Sequence, residues 1–351
     1  MSVEGATRAL VGAAVVAALA LARPGAGRAD PSVWARARDP AMSARADVLA
    51  RADALIKRAT RGELGDRVAA DRAEDYLREA RKILEEGGAE GSSGLVLRHR
   101  YGEVLYRLGD YERAAAILES IRTCAPPPVR RQIAHSLALA YAHLDRHRDE
   151  IVAYTDELEL EPHAPRAIIL ANRAEAYMAL GDLPNAVDGY RQALTSLTQP
   201  EMFEYGVTTL WGLAVASDRA GDPEEALGVI QMARSYDPFD RKISSPDSWF
   251  WNPPHEEFWY RALGNWSTAR QTDQAAVRAE AYARAVALWD RYIAAAPPGD
   301  PWLPIAKVRR KQVDKERSDR RVAVWDADRA EPSTPQPRPP RRTAAPKPRS
   351  P

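Results

Sequence analysis

One pattern of small and aromatic residues comes round four times between Leu95 and Asp240. The copies start at Leu95, Arg131, Ala167 and Val207, so successive starts lie 36, 36 and 40 residues apart. A period of that length marks a repeat array, in which each unit is one supersecondary element unable to bury its own apolar face. Stacking three or more units gives them a shared core. The third copy shows what the element is. Leu170, Arg173, Ala174 and Tyr177 have the spacing of one helix face, Gly181-Asp182 supplies a turn, and Ala186, Tyr190 and Ala193 form a second stripe. The unit is a helical hairpin. Small residues recur where its two helices must approach: Gly102, Ala138, Ala174 and Ala214 in the first helices, Ala114, Ala186 and Ala226 in the second. Pro126, Pro162 and Pro238 close three copies, because proline lacks the N–H that would continue a helix.

The turn and second helix carry a resemblance. Leu-Gly-Asp-Tyr-x-x-Ala at Leu108 to Ala114, Leu-Gly-Asp-Leu-x-x-Ala at Leu180 to Ala186 and Ala-Gly-Asp-Pro-x-x-Ala at Ala220 to Ala226 are similar to the tetratricopeptide repeat (TPR) family. The second copy departs from it, with Asp145 in place of the turn glycine and Glu150 in place of the alanine. A carboxylate at a packed contact needs a partner or an exit to water, so this hairpin is expected to be locally displaced. The fold expected is all-α, a TPR-like helical-hairpin solenoid with a cleavable N-terminal signal and a disordered C-terminal tail.

The remaining segments are read around that array, and residues 1–29 come first. Arg8, an apolar run of 14 residues from Ala9 to Ala22 and a Gly27-Arg28-Ala29 site read as a secretory signal peptide. The run falls short of the ~20 residues that span a bilayer. The mature chain is therefore expected to begin near Asp30 and to be exported, periplasmic or secreted, with no transmembrane span. Residues 30–94 contain two amphipathic helices, a divergent repeat or a cap, and end in a Gly-rich stretch, Gly87 to Gly94, read as a flexible linker. The repeats are placed at 95–128, 131–164, 167–200 and 207–240. Residues 241–300 read as a Trp-rich insertion and a degenerate fifth repeat, 301–330 as a charged helix that caps the array, and 331–351 as a disordered tail. That tail has eight prolines in 21 residues.

With 45% hydrophobic and 28% charged residues, the chain reads as soluble. Its near-neutral formal charge of +1 is a cancellation. From Leu303 onward there are 14 Lys/Arg against 6 Asp/Glu, a net of +8, while Asp30 to Trp302 carries a net of −9. Outside the cytoplasm a basic tail can contact an anionic envelope polymer or lipid headgroup, with affinity that falls as salt rises, or simply solubilise the chain. No aromatic residues interleave the tail's charges, so nucleic acid is not expected as a partner.

No nucleophile elbow, phosphate loop or His-Glu-x-x-His motif occurs, and the chain is not expected to be an enzyme or to need a cofactor. His135, His143 and His147 are close in sequence, but no carboxylate or cysteine completes a tetrahedral set, so no metal site is expected. Cys124 is the only cysteine, which excludes an internal disulfide, and it reads as a buried small hydrophobe.

The resemblance implies binding of a protein or peptide partner. In that family the first helices line a concave groove, and the matching positions here include His99, Tyr106 and Arg107 in the first copy and His135, Leu139 and His143 in the second. The third copy contributes Asn172, Glu175 and Met178, and the fourth Trp211 and Arg219. The family's clamp for a C-terminal carboxylate is matched only at Asn172, so that mode of recognition is not expected. Trp249, Trp251, Trp259 and Trp266 crowd an 18-residue stretch. They admit two readings, a plug over the open end of the array or an aromatic platform on which a carbohydrate or peptide stacks. The expected function is that of an exported scaffold or adaptor in a cell-envelope assembly, with a carbohydrate-binding module as the alternative.

Overall fold

A single left-handed residue reverses the chain in the hairpin turns. The computed structural model describes residues 40–63, 71–91, 94–160, 166–198, 201–244 and 253–330, and every regular element among them is helical. Gly181 (φ 76°) and Gly221 (φ 98°) occupy the left-handed region that glycine enters without steric cost. Each turn closes with the same pair of bonds. Gly181 N–H donates to Met178 O and Asp182 N–H to Tyr177 O, while Gly221 N–H donates to Asp218 O and Asp222 N–H to Ser217 O. In the second copy Asp145 takes the glycine's place at φ 54°, and Arg146 N–H still reaches Tyr141 O at 2.9 Å. Aspartate is one of the few non-glycine residues that tolerate this region, so the expected displacement of the turn does not occur.

The chain divides after Ala125. In the first unit, α1 (Pro40–Glu63) and α2 (Ala73–Glu86) form a hairpin, as do α3 (Leu95–Arg107) and α4 (Tyr111–Arg122). Leu55, Ile56, Ile83 and Leu84 pack with Leu97, Tyr101 and Leu105 in one core, as either a divergent repeat or a cap would. Gly102 lets α3 and α4 approach, since a Cβ there would stand 2.7 Å from Leu118. The stretch expected to be a flexible linker is, where described, a packed turn. Ala89 is buried, Gly87 lies against Val48, and Glu90 is bonded to Arg113 and Tyr101. Cys124 is exposed rather than buried.

The second unit continues with α5 (Pro127–His143) and α6 (His147–Leu160), α7 (Ala167–Ala179) and α8 (Leu183–Ser196), and α9 (Val207–Arg219) and α10 (Pro223–Tyr236). A short α11 (Arg241–Ser244) precedes a further hairpin of α12 (Glu256–Gln271) and α13 (Ala275–Ala295), and α14 (Leu303–Ala330) packs on α13. Pro126-Pro127 opens α5 rather than only closing the first copy, because the first helical position needs no N–H. Asp182 and Asp222 cap α8 and α10 by accepting from the N–H of Asn185 and Glu225. Ala174, Ala186, Ala214 and Ala226 are all wholly buried where hairpin helices meet. Ala186→Leu is expected to lower unfolding free energy by about 1–3 kcal/mol through overpacking. Val152→Leu, on an exposed part of α6, is the control whose denaturant midpoint should not move.

α9 differs from the other first helices. From Thr209 to Arg219 every residue is buried, the signature of a helix covered all round. α12 and α14 supply the cover. Trp259 Nε1 donates to Asp218 Oδ2 at 3.0 Å, and Arg309 donates from Nε to Asp218 Oδ1 at 2.6 Å and from Nη2 to Asp218 O at 3.0 Å. α14, expected to be a solvating cap, thus sends an arginine into the core and buries Ala306 and Val313 beside it.

Candidate functional site

The helical period places Asn172, Glu175 and Ala179 on one face of α7, and this face opens onto a cleft in the second unit. The cleft has two adjoining lobes of about 190 and 90 Å³, which share His147, Glu175, Ala179 and Pro253 as walls. Toward α6 the smaller lobe meets Glu150 and Tyr154. Toward the C-terminal layer the larger one meets Arg219 of α9, Glu256 and Tyr260 of α12, and Trp302 just before α14.

Most of the charge in these walls is already paired. Glu150, at the position where the repeat calls for alanine, is 4% exposed and 2.9 Å from His147 Nδ1. The pairing explains how a carboxylate survives at that contact. Burial raises the Glu150 carboxyl above its usual range while the His147 contact opposes the rise, and that same hydrogen bond raises the imidazole. Arg219 Nη2 donates to Glu256 Oε2 at 2.5 Å, with its guanidinium 4.5 Å from the centre of the Trp259 ring and 4.6 Å from that of Trp302. Asp300 accepts from the Tyr292 hydroxyl and lies 3.0 Å from His255 Nε2.

Two groups are exceptions, the Nε of Arg219, which is buried without an acceptor, and Glu175. The Glu175 carboxylate has no hydrogen-bond or ion-pair partner among the described residues. The side chain keeps some accessible surface, yet protein atoms crowd it closely, so the surface it retains belongs to the cleft it lines. Burial, reinforced by the nearby carboxylates of Glu150 and Glu256 and opposed by His147, pushes its carboxyl up to about 8. At neutral pH this favours the protonated form.

The expected groove residues separate into two groups. Asn172, whose Nδ2 donates to the Tyr154 hydroxyl at 3.2 Å, lines the smaller lobe. Leu139 is half-buried, and His135 lies 3.0 Å from Glu157. In the first unit Tyr106 is half-buried against Tyr111, and Arg107 is also half-buried. His99, by contrast, is buried in that unit's core, where loss of solvent drops its imidazole to about 4 and keeps it neutral.

Trp211, expected in the groove, is 1% exposed and belongs to the core, because α12 comes back over α9. Met178 and Arg219 are also buried, although both border the cleft. Trp259 and Trp266 are wholly buried, Trp259 edge-on to Trp289 and Trp266 bonded to Glu316, so neither offers a ring face for stacking. Trp249 and Trp251 lie outside the described residues, as do the expected signal and tail. The sequence reading did not single out Asp218, Glu256, Trp302 or Arg309. Their partners are 37 to 91 residues away, in other hairpins than their own.

Among the described residues no group of His, Cys, Asp and Glu side chains is disposed to hold a metal ion, and no helix is long and apolar enough to cross a membrane. The cleft can enclose a small polar or cationic group.

No family model and no curated protein matches the chain. Among solved structures it is similar to MamA MSR-1 C2 at 19% identity, with a TM-score of 0.43 over 55% of this chain and 97% of that one. It is similar to a tetratricopeptide repeat protein from Parabacteroides merdae ATCC 43184 at 15% identity, with a TM-score of 0.41 over 73% of this chain and 99% of that one. The P58(IPK) TPR domain is 16% identical, with a TM-score of 0.31 over 76% of this chain and 66% of that one.

Proposed function

We propose that this array of TPR-like hairpins is an exported, non-enzymatic scaffold that holds a protein or peptide partner on its first-helix face, within a cell-envelope assembly. The observation that carries the reading is the cleft along the half-buried Asn172 and Glu175 face of α7. It is a concave, partly apolar space with a few convergent polar groups, the usual form of a recognition site, between α7 and the elements that pack around it. Export is supported by the charged start, short apolar run and Gly27-Arg28-Ala29 site. The basic residues after Glu331 are proposed to add a salt-sensitive attraction to anionic polymer or lipid headgroups.

The test is quantitative capture of a cross-linked partner from envelope extract. Leu139→Arg and Asn172→Arg are expected to reduce capture at least tenfold, whereas Val152→Arg, on an exposed part of α6, leaves it unchanged. Equal capture by all three variants would overturn the groove reading. N-terminal sequencing of the mature protein is expected to start near Asp30, and a chain still starting at Met1 would remove the export claim.

A further inference from the structure

We infer that the cleft beside α7 is a cation pocket that takes a lysine side chain of the partner, its ammonium against the Glu175 carboxylate and its methylene stem along Met178, Ala179 and Trp302. This inference rests on the scaffold reading and names the group recognised.

Three observations lead to it. The first is volume. The larger lobe, about 190 Å³, exceeds a cavity of ~150 Å³ that holds benzene, so there is room for a side chain. The second is the state of the walls. Glu150, Glu256 and Asp300 have protein partners, and Arg219 is neutralised by Glu256. Glu175 alone among the carboxyl groups faces the space with neither oxygen hydrogen-bonded, and an enclosed polar group without a partner is costly. The third is shape. Arg219 already fills the slot between Trp259 and Trp302, so the flat guanidinium site is taken. What remains has an apolar lip of Met178, Ala179 and Pro301 around one carboxylate. A narrow alkyl stem ending in a compact ammonium suits it.

An ammonium is an opposite charge that favours the ionised carboxylate. The groups facing Glu175 are His147 and Glu150 from α6, Arg219 from α9, Glu256 and Tyr260 from α12, and Asp300 from the turn before α14. With the Glu175 carboxyl pushed up to about 8, lysine entry must release its proton at neutral pH. Affinity should therefore rise by up to roughly tenfold per pH unit between 6 and 8 and level off above, while lysine itself stays charged.

The experiment is calorimetric titration of the full chain with acetyl-Ala-Lys-Ala-amide and acetyl-Ala-norleucine-Ala-amide, in buffers of different ionisation heat. The lysine peptide is expected to bind, with that pH dependence and close to one proton released at pH 7. The norleucine peptide, which keeps the stem and lacks the charge, is expected not to bind. Glu175→Gln, nearly isosteric and checked for native circular dichroism, is expected to abolish binding and proton release. Glu175→Asp should retain the pH dependence at lower affinity.

Equal binding of the two peptides, or unchanged binding by Glu175→Gln, would overturn the pocket and leave it a hydrated cavity. Capture of the cross-linked partner by Glu175→Gln at wild-type levels would overturn this inference alone and leave the scaffold reading standing. Lys347→Ala in the full chain should bind the peptide as the wild type does. Tighter binding by that variant would overturn the assignment to a partner, since the chain's own lysine would be the competitor.

Discussion

Asp218→Ala and Arg309→Met are each expected to lower the unfolding free energy of the second unit by about 3–5 kcal/mol, the cost of leaving one member of a buried ion pair without the other. Asp218 is fully buried and spends both carboxylate oxygens, one on Arg309 and one on Trp259, while its backbone carbonyl takes a second bond from the same guanidinium. Removing the carboxylate leaves a nearly buried cation with only the Gln312 side chain and the backbone carbonyl at 218 as acceptors. Removing the guanidinium strands an anion whose ionised form burial already disfavours, and which Arg309 counters. The double change Asp218→Leu with Arg309→Met should cost less than either single change, because well-packed apolar groups leave no orphaned charge. Denaturant unfolding followed by tryptophan fluorescence reads all three. Single variants within 1 kcal/mol of wild type would mean that α14 is not anchored through this pair.

Glu175→Gln is expected to stabilise the protein at alkaline pH and to change little in acid. The carboxyl stands at about 8 in the folded chain against about 4.3 in an unfolded one, so between those values the folded state holds a proton that the unfolded state has lost. Stability from this group is fully present below the unfolded value and falls as pH rises, reaching its full loss above about 8. The unscreened displacement corresponds to roughly 5 kcal/mol, and the solvent that reaches the cleft reduces it to about 2–3 kcal/mol. Unfolding of wild type and variant at pH 4.5 and pH 9 tests the sign. A variant less stable than wild type at pH 9 would show Glu175 to be ionised and favourably paired.

What the sequence made legible was local in origin. The Gly-Asp turns and the alanines at 174, 186, 214 and 226 repeat because each hairpin solves the same packing problem. Asn172 and Glu175 fell on the open face of α7 by the same period. The register failed at α9, where Trp211 and Arg219 occupy groove positions and are nevertheless core. Nothing within the fourth copy announces this, since the covering comes from α12 and α14. The second copy's two exceptions had opposite outcomes. Asp145 simply adopts the glycine conformation, whereas Glu150 needed His147 three residues before it, a pairing visible in sequence once helical spacing is applied.

The anchoring of α14 also decides how the molecule meets copies of itself. A stack of hairpins is in principle a growing polymer, because its last unit presents the same kind of apolar face that the previous one received. Here the last hairpin is followed by a helix whose inner side is committed to Asp218 and Glu316 contacts and whose other side carries ion pairs among Arg310, Asp290, Asp314 and Arg317. Another molecule arriving at that end would have to strip water from charges already satisfied, and among the described residues of α14 Val308 is the large apolar side chain it would meet exposed. α14 thus closes this end of the second unit with paired charges, where a further hairpin would otherwise find an apolar face to stack on.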